Sequence, residues 1–149
     1  MSAVHFYLFD ETYEQVENVP AHIDFACRLA AHCYRQNQKI FIYTGDQTQA
    51  NQVDEYLWQF DAQSFVAHNL QGEGPKFGSP VEIGCEVPKG SRQILINLSP
   101  SMPDFAKRYP QVFDFVPHQE ELKQVARERY KQYKQSGHQL TTEPAYPAQ

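Results

Sequence analysis

Short apolar runs alternate along this chain with longer stretches in which apolar residues recur every three or four positions, the pattern of strands buried beneath amphipathic helices. The first run, His5 to Phe9, is aromatic-rich, is closed by Asp10 and predicts a strand buried on both faces. Beyond Pro20, residues Ile23, Ala26, Cys27, Ala30 and Tyr34 form a helical stripe that should end near Asn37. Ile40 to Tyr43 is a second continuous run. Gly45 and Asp46 then supply a turn and a helix N-cap ahead of Ala50, Val53 and Leu57.

Phe65 to His68 and Val81 to Cys85 predict short strands toward a sheet edge, separated by LQGEGPKFGSP, where Gly and Pro interrupt any helix. Ile94 to Leu98 and Val112 to Val116 predict core strands, with a short helix between them starting near Ser101 and Pro103. A last helix follows Pro117, runs through Tyr133 and meets Gly137, a residue suited to the left-handed position past a helix end. This alternation predicts a three-layer α/β fold, a mostly parallel sheet with helices on both faces. One domain is expected over residues 1–137, and a disordered tail, HQLTTEPAYPAQ, over residues 138–149.

Composition agrees with one globular unit: 149 residues, 41% apolar and 13% aromatic, with no internal repeat. A net charge of −5 disfavours broad binding along a phosphate backbone, so any nucleic-acid role must be local or indirect. Cys27, Cys33 and Cys85 match neither a disulfide framework nor paired metal-ligand spacing, and suit a reducing cytoplasm. The opening MSAVHFYLFDETYE lacks the features of a secretion signal, and no apolar stretch is long enough to span a membrane.

Open parallel sheets often bind nucleotides beyond the carboxyl ends of their strands. The equipment is missing here. Asp10-Glu11-Thr12 follows the first strand, with no glycine and with carboxylates that repel phosphate. Gly72-Glu73-Gly74-Pro75 lacks the lysine and hydroxyl of a P-loop, and is better explained as a turn. The six histidines include no HExxH motif, the scattered acids Asp10, Asp46, Asp54 and Glu82 read as solvated or capping groups, and no nucleophile elbow occurs. The fold is therefore expected to be nucleotide-binding-like in topology, without a phosphate loop, a cofactor, a metal or a catalytic site.

Two features stand out. Helical spacing from Lys123 places Arg127, Tyr130 and Lys134 on one face of the last helix, with Lys131 at its margin: a basic stripe around an aromatic. An ordinary solvated face explains the charges, but not the aromatic among them, which suits a ligand bearing both negative charge and an apolar group. Leu122, Val125, Ala126 and Tyr133 fall on another face and should meet the sheet, with Arg129 among them in a structural hydrogen-bond or ion-pair arrangement. The second feature is Trp58, about 100° around from core-facing Leu57. With Phe60 and Phe65 it forms a candidate protein-binding patch, although Phe65 taken alone reads more readily as core.

The block VDEYLWQFDAQSFVAHNLQGEGPKFGSPVEIG, the block FDFVPHQEELKQVARERYKQYKQSG and the opening HFYLFD resemble the chi subunit of bacterial DNA polymerase III, covering nearly all of the chain but the tail. The resemblance implies a non-catalytic accessory subunit, the polymerase (nucleotidyltransferase) activity belonging to the holoenzyme. It implies two partners: the small psi subunit, which ties chi to the clamp loader, and the acidic C-terminal tail of the single-stranded-DNA-binding protein. Contact with DNA is then indirect. The family's tail-binding positions fall on Val116, Lys123, Arg127, Tyr130 and Lys131, with Lys134 added by the stripe. Its psi-facing positions fall on Trp58 and Phe65, Phe60 replacing a smaller residue. Some family members also offer that surface to a DNA-repair helicase. Rival readings are a nucleotide-dependent enzyme using the Gly72 to Gly78 loop and direct binding of single strands by the basic helix.

Overall fold

A computed structural model describes residues 2–11, 19–59, 66–73 and 79–145. Strands β1 (Ala3–Leu8), β2 (Ile40–Tyr43), β3 (His68–Leu70), β4 (Val81–Gly84), β5 (Ile94–Asn97), β6 (Gln111–Val116) and β7 (Gln139–Pro144) form one sheet in the order β3-β4-β2-β5-β6-β1-β7. Every pairing is parallel. The helices are α1 (Ala21–Arg35), α2 (Gln47–Gln59) and α3 (Glu120–Gln135).

Alternation along the strands sorts the core into two layers. Ile40, Ile42, Ile94, Ile96, Phe113 and Phe115 point to one face, where Ile23, Cys27 and Ala30 of α1 and Ala50, Val53 and Leu57 of α2 cover them. Val4, Phe6, Phe41, Leu95 and Val112 point to the other, beneath Tyr133 of α3 and the Phe105 to Tyr109 segment. Because β2 and β5 have helices or loops over both faces, they read in sequence as unbroken apolar runs. Asp24, buried in α1, accepts hydrogen bonds from Tyr56 of α2 and from Arg28, tying the two helices of one layer together.

Most boundaries fall within two residues of expectation. Asp46 caps α2, its Oδ1 accepting the amide of Gln49 at 2.8 Å. Asn37, just past α1, and Gly137, just past α3, both take positive φ, +62° and +90°. Three expectations change. The first strand begins at Ala3, and Leu8 at its end is exposed. The short helix is a 3-10 turn at Ala106–Arg108, later than Ser101. The segment after Gly137 is β7, not a loose tail: residues 139–144 pair along the whole of β1, and Gln139 and Ala145 add backbone bonds to Ser2 and Leu8. Backbone pairing, not an apolar pattern, holds this mostly exposed edge strand. Of the expected strand from Phe65 to His68, only Val66 onward lies within the described residues.

Candidate functional site

Helix α3 lies over β6 and β7 and is anchored from below by a buried polar cluster. Asp114 of β6 is fully buried; Arg129 grips its carboxylate through Nε at 3.1 and 3.2 Å and through Nη2 at 3.0 Å. The guanidinium also donates to the carbonyls of Phe115 and Pro100. Tyr133 and Asn97 donate to the far carboxylate oxygen at 2.9 and 3.0 Å. Burial, and then the Asp114 charge, hold the Tyr133 phenol well above its ordinary range, so it stays a donor. The structural role expected of Arg129 is borne out; Asp114, its partner, had no signal in the sequence beyond one acid inside an apolar strand.

With Arg129 fixed, the next residue, Tyr130, is set half-buried at the helix margin, its ring centroid 5.4 Å from that of Phe6 and packed on the same core layer as Val116. Lys123, Arg127, Lys131 and Lys134 flank it on the outer side of α3, Lys123 partly buried and the others exposed. Their charges are partly answered within the helix. Glu120 lies 4.0 Å from Lys123 and 3.9 Å from Arg127, and Glu128 lies 3.5 Å from Lys131. These are exposed, loose pairs worth little to stability. Glu120 therefore holds two cations in place with a carboxylate that an incoming one can replace.

Leu122 and Val125 depart from expectation. They are 43% and 38% exposed, and only Ala126, Arg129 and Tyr133 of α3 are buried. The first half of α3 overhangs a cavity of about 580 Å³ at the carboxyl ends of β2, β5 and β6, which Leu122 and Val125 line together with His22, Asn97 and Ser99. This is where such sheets bind nucleotides. Two of the amides a phosphate would use at the start of α2 are already taken, Gly45 donating to Gln49 Oε1 and Gln49 donating to Asp46, whose carboxylate also repels one. Beside this cavity His22 is held down to about 4, by burial and then by the charge of Arg129. Because the unfolded imidazole titrates near 6.5, the unfolded chain binds the extra proton between those values, and stability should fall as pH drops from about 6.5 toward 4. Urea titrations across that window should show the slope, and His22→Gln should flatten it.

Trp58, at the far end of α2, is 58% exposed, and its ring sits 4.6 Å from that of His68 on the edge strand β3. His68 is itself held by the Val66 carbonyl and lies 3.3 Å from Asp54. Phe60 and Phe65, the other members of the aromatic patch, lie outside the described residues. Trp58 and the α3 face occupy opposite faces and opposite margins of the sheet, two separate surfaces.

The family described as DNA polymerase III chi subunit, HolC, matches residues 1–141. The chain belongs to this family. The chi subunit of Escherichia coli (strain K12) is 44% identical over 144 residues, covering 95% of this chain and 97% of the relative. That of Haemophilus influenzae is 43% identical over 122 residues, 80% and 85% of the two chains. Family membership makes this chain an accessory subunit of a replication polymerase. The fold extends further: the C-terminal domain of the DEAD-box protein Dbp5 superposes with a TM-score of 0.54 at 13% identity, covering 96% of this chain and 91% of that one. T4 UvsW gives 0.58 at 9% identity, over 96% of this chain and 41% of that one. These two share the architecture of a nucleotide-binding-like sheet with the chi family chain. Among the described residues, no helix is long and apolar enough to cross a membrane.

Proposed function

We propose that this chi family chain is a non-catalytic, cytoplasmic adaptor. It ties the clamp loader, through the psi subunit bound at the Trp58 surface, to the acidic C-terminal tail of the single-stranded-DNA-binding protein bound on α3. The observation that carries this reading is the half-buried Tyr130, packed on the same core layer as Val116 and flanked by Lys123 and Arg127 on one helix face. Cations receive the tail's carboxylates, while Tyr130 and Val116 shelter an apolar terminal side chain. A DNA-repair helicase, where the cell has one of the right kind, would use the Trp58 surface in place of psi.

Titration with a fluorescent peptide matching the partner's acidic C-terminus, at two salt concentrations, tests the tail site. Arg127→Ala should weaken binding about ten-fold, because its planar fork grips a carboxylate through two bonds. Lys123→Ala should cost less, and both penalties should shrink with salt. Tyr130→Ala should weaken binding at either salt concentration, since it removes apolar cover. Glu120→Gln, which removes the internal competitor for both cations, should tighten it. The tail site fails if Arg127→Ala and Tyr130→Ala both bind like the parent while folded by circular dichroism, or if a peptide with neutralised acids binds as well.

A further inference from the structure

The sheet is electrically polar. At the carboxyl ends of its strands, or in the turns that follow them, stand Asp10, Glu11, Asp46, Glu86, Glu120, Glu121 and Glu143. Cations gather at the amino-terminal edge. Lys39 precedes β2, Arg92 precedes β5, Lys107 and Arg108 lead into β6, and Lys134 closes the last turn of α3 where the chain returns to begin β7. Lys89, in the loop before β5, joins them because Arg108 donates to the carbonyls on either side of it, Pro88 at 3.1 Å and Gly90 at 2.9 Å.

Hydrogen bonds and neighbouring charges connect these groups into one ridge. The Lys39 amide donates to Gln93 Oε1 and the Lys39 carbonyl accepts from Ile94, which sets Lys39 beside Arg92. Arg92 is pinned by the carbonyls of Ser79 and Pro80, both at 2.8 Å. Burial raises the Tyr109 phenol while the charges of Arg108 and Arg92 oppose the rise, so both guanidinium groups lie near that ring, with Glu82 as the acid facing them. Burial and then Lys107 depress the His138 imidazole, which puts Lys107 beside the start of β7. Lys39, Lys89, Lys107, Arg108 and Lys134 are exposed, Arg92 half-buried, and none of the six makes an ion pair among the described residues. The cations earlier in α3 differ in this respect, since Lys123, Arg127 and Lys131 each have an acid of the same helix within reach.

A ridge of unpaired cations on a molecule of net charge −5 is segregated, not average, and the ligand it fits is an extended polyanion. It follows the strand ends from β2 to β7, roughly 20 Å at about 4.8 Å per strand. An acidic peptide would also want an aromatic anchor, and the exposed aromatic among the described residues, Trp58, stands beyond β3 at the other margin, the ridge itself offering only the small side chain of Val87 beside Lys89. We propose that the amino-terminal edge of the sheet is a contact surface for the phosphodiester backbone of single-stranded DNA. It binds without sequence preference and independently of the adaptor reading, meeting the tail site on α3 only at Lys134, which borders both. Weak, salt-sensitive contact of this kind keeps the subunit near bared template when it is not held through a protein partner.

The experiment is fluorescence anisotropy of the full chain with a labelled oligothymidylate of about 30 nucleotides, without any coating protein, over a series of salt concentrations. Six phosphate contacts predict a log–log slope of affinity against salt of about −4. Replacing Lys39→Gln, Lys89→Gln and Lys107→Gln together removes no side-chain hydrogen bond and should lower the slope's magnitude by about 2. It should weaken low-salt binding at least ~10-fold, while leaving affinity for the acidic tail peptide at the parental level. The proposal is overturned if the parent shows no salt-sensitive binding, or if the triple variant binds DNA like the parent. It is equally overturned if Lys123→Gln, Arg127→Gln and Lys131→Gln together, the same change in charge, remove as much DNA affinity. Preference for polyglutamate over the oligonucleotide would make the partner an acidic protein and would also overturn it.

Discussion

Asp114→Ala should destabilise the protein by about 3–5 kcal/mol, the cost of leaving a buried guanidinium without its counter-charge. Arg129 is 7% exposed and spends three contacts on that carboxylate, and Tyr133 and Asn97 lose their acceptor at the same time. Val4, Phe6, Leu95 and Val112 pack the layer under α3, so relief for an uncompensated Arg129 could come only from the cavity that it lines with Leu122 and Val125. Adding Arg129→Met to the same chain should restore much of the loss, since a buried ion pair often does no better than a well-packed apolar pair. Urea denaturation with an unchanged slope is the measurement. A single variant within about 1 kcal/mol of the parent would show that the cluster does not hold α3. The site depends on it: Tyr130 and Val116 are presented by the helix and strand that this cluster joins.

Truncation after Gly137 should be nearly as damaging. It removes β7 and bares the whole outer edge of β1, including the His5 side chain that now meets Thr141 at 2.7 Å. Losing a handful of net backbone bonds at about 0.5–1.5 kcal/mol each gives a destabilisation on the order of 3 kcal/mol. Leu140 also leaves the layer it shares with Val116 and Tyr130. A second consequence is association, since an unpaired edge as aromatic as β1 is a template for another chain. Thermal melts with light scattering would read both effects. A truncated protein that stays monomeric and melts with the parent would remove β7 from the folded unit.

What was legible follows from how each element earns its stability. Ile40 to Tyr43 and Ile94 to Asn97 are buried on both faces, so side chains alone announce them. β7 has Gln, Thr and Glu at exposed positions and is held by its main chain, so nothing in HQLTTEP marked it. The α3 stripe was readable because helical spacing orders Lys123, Arg127 and Tyr130 on one face without knowledge of the fold. Spacing cannot say where a helix overhangs its sheet, and Leu122 and Val125 precede a buried stripe that begins only at Ala126. Asp114 and Arg129 meet only through the tertiary fold; the arginine was conspicuous on an apolar helix face, and its partner was not.

The strand order also sets the timetable of folding. β1 is the first strand made, yet both of its neighbours, β6 and β7, come from the end of the chain. At about 5–20 residues per second, the roughly 100 residues between β1 and β6 keep it waiting on the order of 5–20 s in a cell. Through that interval its aromatic side chains have no native strand beside them, and parallel pairings across such long separations form slowly even once the chain is complete. The newborn protein therefore spends its early life with its oldest segment the least protected, and it is this N-terminal strand that a chaperone would meet first.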